Sequence, residues 1–215
     1  MILKPLGHSC FLLKESTGTT VVTDPYSEDI GIKLPPVSAD VVTVSHHHSD
    51  HDNVKAIAGN PLVIDSPGMF EVKGVHIMGV DAKHDEHNGK LRGSNIVFNF
   101  RMDGVNVCHL GDIGHKPSPL IIEAIGPVDV LLIPVGGNFT IDAEIAKEYV
   151  DKLLPSVVIP MHYKRDSIHL DLEKADAFLD YFDEEDVVYL KKDEIEFDRA
   201  DFDDEYNTKV YIFED

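Results

Sequence analysis

Residues 45–51 read S-H-H-H-S-D-H, which puts four histidines and an aspartate within seven positions. Imidazole nitrogen and carboxylate oxygen are ligands for zinc and iron, so the stretch points to metal chemistry. Along an extended chain successive side chains alternate between faces. His46 and His48 then share one side and chelate one ion, while His47 faces away. A bend after His48 lets Asp50 and His51 reach a second ion. A helical reading would pair His47 with His51, but the glutamate of H-E-x-x-H is missing and the helix would have to begin at a strand's end. The internal position argues against a purification tag. The aspartate within the cluster argues against a merely histidine-rich surface loop.

Such a site needs ligands from elsewhere in the chain. Three candidates follow apolar runs, as the cluster itself does: His84 in D-A-K-H-D-E-H, Asp112 in H-L-G-D-I-G-H and His162 in I-P-M-H-Y. His87 lies only three residues beyond His84 and is a rival for its place. There is no G-x-S-x-G, and neither Cys10 nor Cys108 lies on a ligand-bearing loop, so the chain offers no nucleophile of its own and water takes that role. The Gly136-Gly137-Asn138 turn either supplies N–H groups to an anion or simply uses glycine conformations; the second reading is preferred.

The elements that must position these residues are short apolar strands. Cys10–Leu13 and Thr20–Thr23 flank the turn E-S-T-G, and Asp40–Val44 leads into the histidine cluster. Leu62–Asp65, Val75–Val80, Ile96–Phe100 and Val105–Leu110 continue the series, the last two flanking the hairpin turn M-D-G. Asp129–Val135, Val157–Met161, Val187–Leu190 and Val210–Phe213 follow. Between them, Thr140 is expected to cap a helix running to Leu154, with Ile141, Ile145, Tyr149 and Leu153 on one face. Asp171 is expected to cap a second helix bearing Leu172, Ala175, Leu179 and Phe182. Strands mixed with helices predict an α/β layered sandwich of two sheets covered by helices.

Composition narrows the function. The chain has 215 residues, 43% hydrophobic and 27% charged, as expected of one globular domain over 1–215. No apolar run is long enough to span a membrane, and M-I-L-K-P-L-G-H has no signal-peptide organisation, so a cytoplasmic protein is expected. Cys10 and Cys108 sit in apolar runs and read as buried reduced thiols. The net charge of −20 repels nucleic acid and anionic membranes, although a local cationic site such as a bound metal would override it for small anions. Much of that charge lies in D-E-E-D at 183–186 and in Asp193–Glu205, read as a solvated acidic surface.

The order H-x-H-x-D-H, then His, then G-D, then His resembles the metallo-β-lactamase superfamily. The opening G-H-S-C-F (7–11) and V-T-D-P-Y (22–26) are similar to the branch of metal-dependent hydrolases related to ascorbate-6-phosphate lactonase. The resemblance covers about residues 1–165 and implies a four-layered αβ/βα sandwich. It implies a first metal site of His46, His48 and His84, and a second of Asp50, His51 and His162, with Asp112 bridging both. It implies that Asp24 orients ligand-bearing loops; His8 and His115 lie beside these motifs and either line the site or are hydrogen-bonded structural histidines, with neither reading preferred. A-K-H matches the family's spacing and favours His84 over His87; His47, His76, His109 and His169 read as structural or surface residues.

The cofactors so implied are two divalent ions, zinc first, with manganese or iron as alternatives. The function so implied is hydrolysis of a small ester, lactone or phosphoester by a metal-bound hydroxide, with Asp50 accepting or shuttling the proton. Nuclease members carry a large inserted domain for which this chain has no room. Flavin-coupled redox members usually carry glutamate where this chain has His48. An iron-dependent redox or oxygen-handling protein and a non-catalytic metal-binding module are the alternatives.

Overall fold

The computed structural model describes residues 1–202 and 207–214, so Asp203, Asp204 and Glu205 of the acidic run lie outside the described residues. Among the described residues there are fourteen strands: β1 Ile2–Gly7, β2 Cys10–Lys14, β3 Thr20–Thr23, β4 Val41–Thr43, β5 Leu62–Ile64, β6 Gly68–Val72, β7 Val75–Lys83, β8 Ser94–Met102, β9 Val105–His109, β10 Val130–Pro134, β11 Val157–Met161, β12 Val187–Leu190, β13 Ile195–Glu196 and β14 Lys209–Phe213. The α-helices are α1 Pro119–Ile125, α2 Ala143–Leu153 and the single turn α3 Asp176–Leu179.

The strands form two mixed sheets. One runs β13-β1-β2-β3-β4-β5 and the other β12-β14-β11-β10-β9-β8-β7-β6. Strands β3, β4 and β5 pair in parallel, as do β9, β10, β11, β14 and β12. Parallel strands with both faces covered read as unbroken apolar runs, and every residue of β10 and β11 is buried. Asp103 and Gly104, both with positive φ, close the β8–β9 hairpin as M-D-G predicts.

Inward-facing side chains of both sheets, among them Leu3, Phe11, Leu13, Phe98, Phe100 and Leu132, fill the space between them. A second core lies under the helices: Ile121, Ile125, Ala146, Tyr149 and Phe178 pack onto the outer face of the larger sheet. The outer face of the smaller sheet is covered by loops and 3-10 turns carrying Tyr26, Ile30, Leu34 and Ile57. The layered sandwich is therefore present, with one outer layer built from irregular chain. No helix among the described residues is long and apolar enough to cross a membrane.

The helices differ in detail from the sequence reading. Asp142, not Thr140, caps α2, with its Oδ1 accepting the Ile145 N–H at 2.9 Å. The buried face of α2 centres on Ala146, Tyr149 and Val150, with Ile145 and Leu153 at its margin. The helix expected from Asp171 does not form there, because tertiary partners take the backbone groups it would need. Glu173 donates its N–H to the Gly136 carbonyl (2.8 Å) and accepts from Lys164 (2.8 Å), while Asn138 Nδ2 bonds the Asp171 carbonyl. Only Asp176–Leu179 remain helical.

Strand β1 has a central place that a sequence containing Pro5 does not advertise. β13 pairs only with Ile2 and Leu3, so Pro5 faces no partner on that side and lacks no required N–H. Cys10 and Cys108 are both free and buried, in agreement with the expectation for them.

Candidate metal centre

The residues that gather at one edge of the sandwich stand at the C-terminal ends of strands or on the loops that follow them. Three of them, His8 after β1, Asp24 after β3 and His162 after β11, take left-handed φ values of 52°, 38° and 51° in the first position past the strand. Such a backbone costs a non-glycine residue about 1–2 kcal/mol. Its recurrence at three strand ends turns three polar side chains towards one point, and strain of this kind collects at functional sites.

After β4 the histidine cluster runs as an irregular loop, in line with the extended reading. The His51 N–H bonds the His48 carbonyl at 2.9 Å and makes the bend. His46 and His48 then share a side, with ring centroids 4.6 Å apart, and the His84 ring lies 4.7 and 5.1 Å from them. His47 faces away, exposed, and bonds Asp52 at 2.7 Å. His84 is buried whereas His87 is exposed, so the structure brings His84 and not its rival to the cluster.

Two further groups complete the picture. Potential ligand atoms of His8, Asp50, His51 and His162 lie within 4.8 Å of one another, as do those of His46, His51 and Asp112. Asp112 follows β9 through Gly111, whose φ is 56° and whose Cα packs so tightly on Asn95 and Ser45 that any side chain would collide with them. His115 is not brought into any of these groups; its Nδ1 donates to the neighbouring Lys116 carbonyl at 2.9 Å.

The electrostatics divide the imidazoles into two kinds. Burial pushes His46 down to about 3 and His84 to about 4, the latter against the pull of Asp112. Burial together with the neighbouring His162 takes His8 to about 4. These imidazoles are neutral and present lone pairs. Burial alone would raise Asp112, but His162 and His51 hold it well below the usual carboxylate range; His162, His51 and His8 do the same for Asp50. Conversely, burial lowers His51 and His162, but Asp112, Asp24 and Asp50 together raise His51, and Asp112 with Asp50 raises His162 to about 9, the mark of a carboxylate-rich pocket that favours cations.

The fit to metal ions rests on buried atoms that face one another without forming well-aligned hydrogen bonds. His46 Nε2, His51 Nε2, both nitrogens of His162 and Asp112 Oδ1 are buried without a hydrogen-bond partner. Native interiors leave few such groups, and nitrogen and oxygen donors of this kind suit a divalent ion. The spacing also suits one. Zinc–nitrogen bonds of about 2.0–2.1 Å give a tetrahedron with edges of about 3.3 Å. Asp50 Oδ2 stands 3.2, 3.4 and 3.8 Å from the Nε2 atoms of His8, His51 and His162.

Supporting residues fix these donors. The Asp24 carboxylate accepts from Ser45 N and Oγ and lies 2.9 Å from His51 Nδ1, leaving Nε2 to face the site. Ser45 Oγ stands 3.0 Å from His46 Nδ1. Asn95 accepts the Asp112 N–H at 2.9 Å, and buried Asp85 accepts four backbone N–H groups from the loop after His84. Sequence reasoning missed Ser45, Asn95 and Asp85. Ser45 adjoins the histidine run, but Asn95 and Asp85 carry no spacing signal. His109, read as structural, is fully bonded, to the Ser9 carbonyl (2.8 Å) and the Gly111 N–H (3.1 Å). Gly136 serves packing: a side chain there would meet the His162 carbonyl.

Comparison with known proteins agrees with this arrangement. Residues 3–162 match the β-lactamase superfamily domain. The chain is 31% identical to a UPF0173 metal-dependent hydrolase of Thermococcus onnurineus, over 88% of this chain and 96% of that one. A second UPF0173 metal-dependent hydrolase, from Thermoplasma acidophilum, is 30% identical over 80% of this chain and 87% of its own. A crystal structure from Thermotoga maritima, assigned to the Zn-dependent hydrolases of the metallo-β-lactamase superfamily, superposes with a TM-score of 0.81 at 41% identity, covering 99% of this chain and 97% of that one. The chain thus belongs to the metallo-β-lactamase superfamily and, within it, to the UPF0173 metal-dependent hydrolases.

Proposed function

We propose that the chain hydrolyses a small ester, lactone or phosphoester with the help of two divalent ions, zinc in first place. The observation that carries this reading is the position of Asp112. Its Oδ1 lies 3.3 Å from His51 Nε2, and its Oδ2 lies 3.2, 3.4 and 3.7 Å from the Nε2 atoms of His162, His84 and His46. One buried carboxylate thus stands between two groups of imidazoles, as a ligand shared by two ions must. His46, His48 and His84 would hold the first ion, Asp50, His51 and His162 the second, with Asp112 common to both.

When bound, such ions supply a water acidified towards neutral pH and a Lewis acid for a carbonyl or phosphoryl oxygen. The chain's own residues do the rest. Asp50 is ionised and, unlike Asp112, partly open to solvent, so it is the carboxylate placed to take a proton from the attacking water. Asp24 holds the His51 ring in register. Cavities of about 270 Å³ beside His8 and His162 and about 290 Å³ beside His84 flank the cluster and suit a small substrate. The charge of −20 speaks against nucleic acid and anionic membranes as partners. Two buried free thiols support a cytoplasmic setting.

The test is elemental analysis of gently purified protein, with Asp112→Ala as control, followed by a panel of lactones, esters and phosphodiesters. About two zinc or manganese ions per chain, reduced in the control, together with metal-dependent turnover, support the reading. Iron with a visible absorption band would replace it with redox chemistry. A chain that stays metal-free after reconstitution would remove it altogether.

A further inference from the structure

His8 has no place in the two ligand sets named above, yet the structure treats it as one of their members. It follows a strand directly and adopts the left-handed backbone of His162, at φ 52° against 51°. Its side chain is wholly shielded from solvent. Its ring stacks obliquely on His162 with centroids 4.3 Å apart and stands 5.3 Å from the His51 ring. Its Nε2 lies 3.2 Å from Asp50 Oδ2, and its Nδ1 is buried with no hydrogen-bond partner. A histidine kept in a core for packing saturates both nitrogens, as His109 does. His8 does not, and it sits in a strained backbone to reach the same carboxylate oxygen as His51 and His162.

Resting on the dinuclear reading, we propose that His8 is a further ligand of the second ion, so that this ion is held by the imidazoles of His8, His51 and His162 and the carboxylate of Asp50. The edges from Asp50 Oδ2 to these three nitrogens, 3.2, 3.4 and 3.8 Å, are those of one coordination shell. The shortest of them belongs to His8. The consequence is an asymmetry between the sites. The first ion has His48, an exposed residue, among its ligands, whereas the second is enclosed by partly or fully buried ones. The second ion is therefore the more firmly held, and Asp112 alone joins it to the first.

A hydrogen bond from His8 to Asp50 would give similar distances, so the test separates donation from ligation. Metal-free wild type, His8→Asn and His8→Gln are titrated with zinc against a chelating indicator, and cobalt is added in parallel to follow its visible spectrum. Asn tolerates the left-handed backbone but is too short to reach the site; Gln keeps an N–H donor for Asp50 while losing the imidazole. Thermal melts of the metal-free variants check that they fold.

The expected result is two ions in the wild type, the tighter of which binds at least about tenfold more weakly in both variants, with a changed cobalt spectrum at that site. Two ions held equally well by His8→Asn, or full recovery in His8→Gln, would overturn the assignment of His8 alone. A wild type that binds fewer than two ions overturns the dinuclear reading, and the assignment with it.

Discussion

Asp24 Oδ2 lies 2.9 Å from Nδ1 of His51, both side chains fully buried, so a carboxylate stands behind an imidazole whose other nitrogen faces the site. The same carboxylate accepts the Ser45 N–H at 2.7 Å and the Ser45 hydroxyl at 2.6 Å, which ties the start of the histidine loop to the end of β3. Replacement by Asn keeps the shape and tolerates the left-handed φ of 38° but removes the charge that fixes the ring's tautomer. Asp24→Asn is therefore expected to weaken metal binding about 10- to 100-fold. A competitive zinc titration measures it, and unchanged affinity would show that Asp24 only anchors Ser45.

His109 supplies the contrasting case. It is as buried as the candidate ligands and lies three residues before Asp112, yet both its nitrogens are satisfied by backbone. His109→Ala leaves the Gly111 N–H without its acceptor and opens a cavity under the Asp112 loop, at a cost of about 2–4 kcal/mol. For a chain of this length that lowers Tm by roughly 5–15 °C. Metal content per folded chain is expected to stay at the wild-type value. A calorimetric melt with parallel elemental analysis separates the two effects, and loss of metal without loss of stability would contradict the assignment.

The site was more legible in the sequence than the frame that holds it. H-x-H-x-D-H picks out the candidate ligands because alternation and one bend suffice to sort them, and both occur locally. His84, Asp112 and His162 could be found because each follows an apolar run. Asn95 and Asp85 could not, since their bonds go to backbone groups brought near by tertiary packing. The same cause removed the helix expected from Asp171: its backbone groups are taken by Gly136, Asn138 and Lys164, and local propensity lost to those partners. Strands β1, β6 and β13 escaped notice: Pro5 breaks the pattern of β1, β6 opens on Gly68 directly after Pro67, and β13 is only two residues long, while their pairing with β2, β7 and β1 runs through backbone.

Acid sensitivity should reside partly far from the metal centre. Asp103, in the β8–β9 turn, accepts the Ser16 N–H (2.8 Å) and hydroxyl (2.6 Å) and pairs with the N-terminal ammonium at 3.2 Å. Burial would raise its carboxyl, but Ser16 and the ammonium hold it below the usual range. Its folded value lies below the unfolded one of about 3.9, so its stabilisation is complete above that pH and is lost as pH falls through the folded value. Asp103→Asn should melt a few degrees below wild type at pH 7, with the gap closing as pH drops below about 4. Melts across that range decide it; a gap that does not change with pH would place the effect in packing instead.

Removing the metal should cost stability as well as activity, because the donors are then left with only long, poorly aligned contacts to one another. Without ions, His46 Nε2 and His162 Nδ1 stay buried without a partner, at about 1–3 kcal/mol each, and His51 Nε2, His162 Nε2 and Asp112 Oδ1 keep only poorly aligned mutual contacts. Ligands that bind the folded state alone stabilise it by mass action, about 4 kcal/mol at a thousandfold excess over Kd. At roughly 2–4 °C per kcal/mol, Tm should fall by about 8–16 °C on chelation and recover when zinc is returned. Asp112→Ala should flatten that dependence, since it removes the carboxylate between the two imidazole groups and with it the charge that makes filling them favourable. Differential scanning calorimetry with and without chelator checks both outcomes. A wild-type Tm indifferent to metal would mean that these unpartnered atoms are satisfied by something other than an ion.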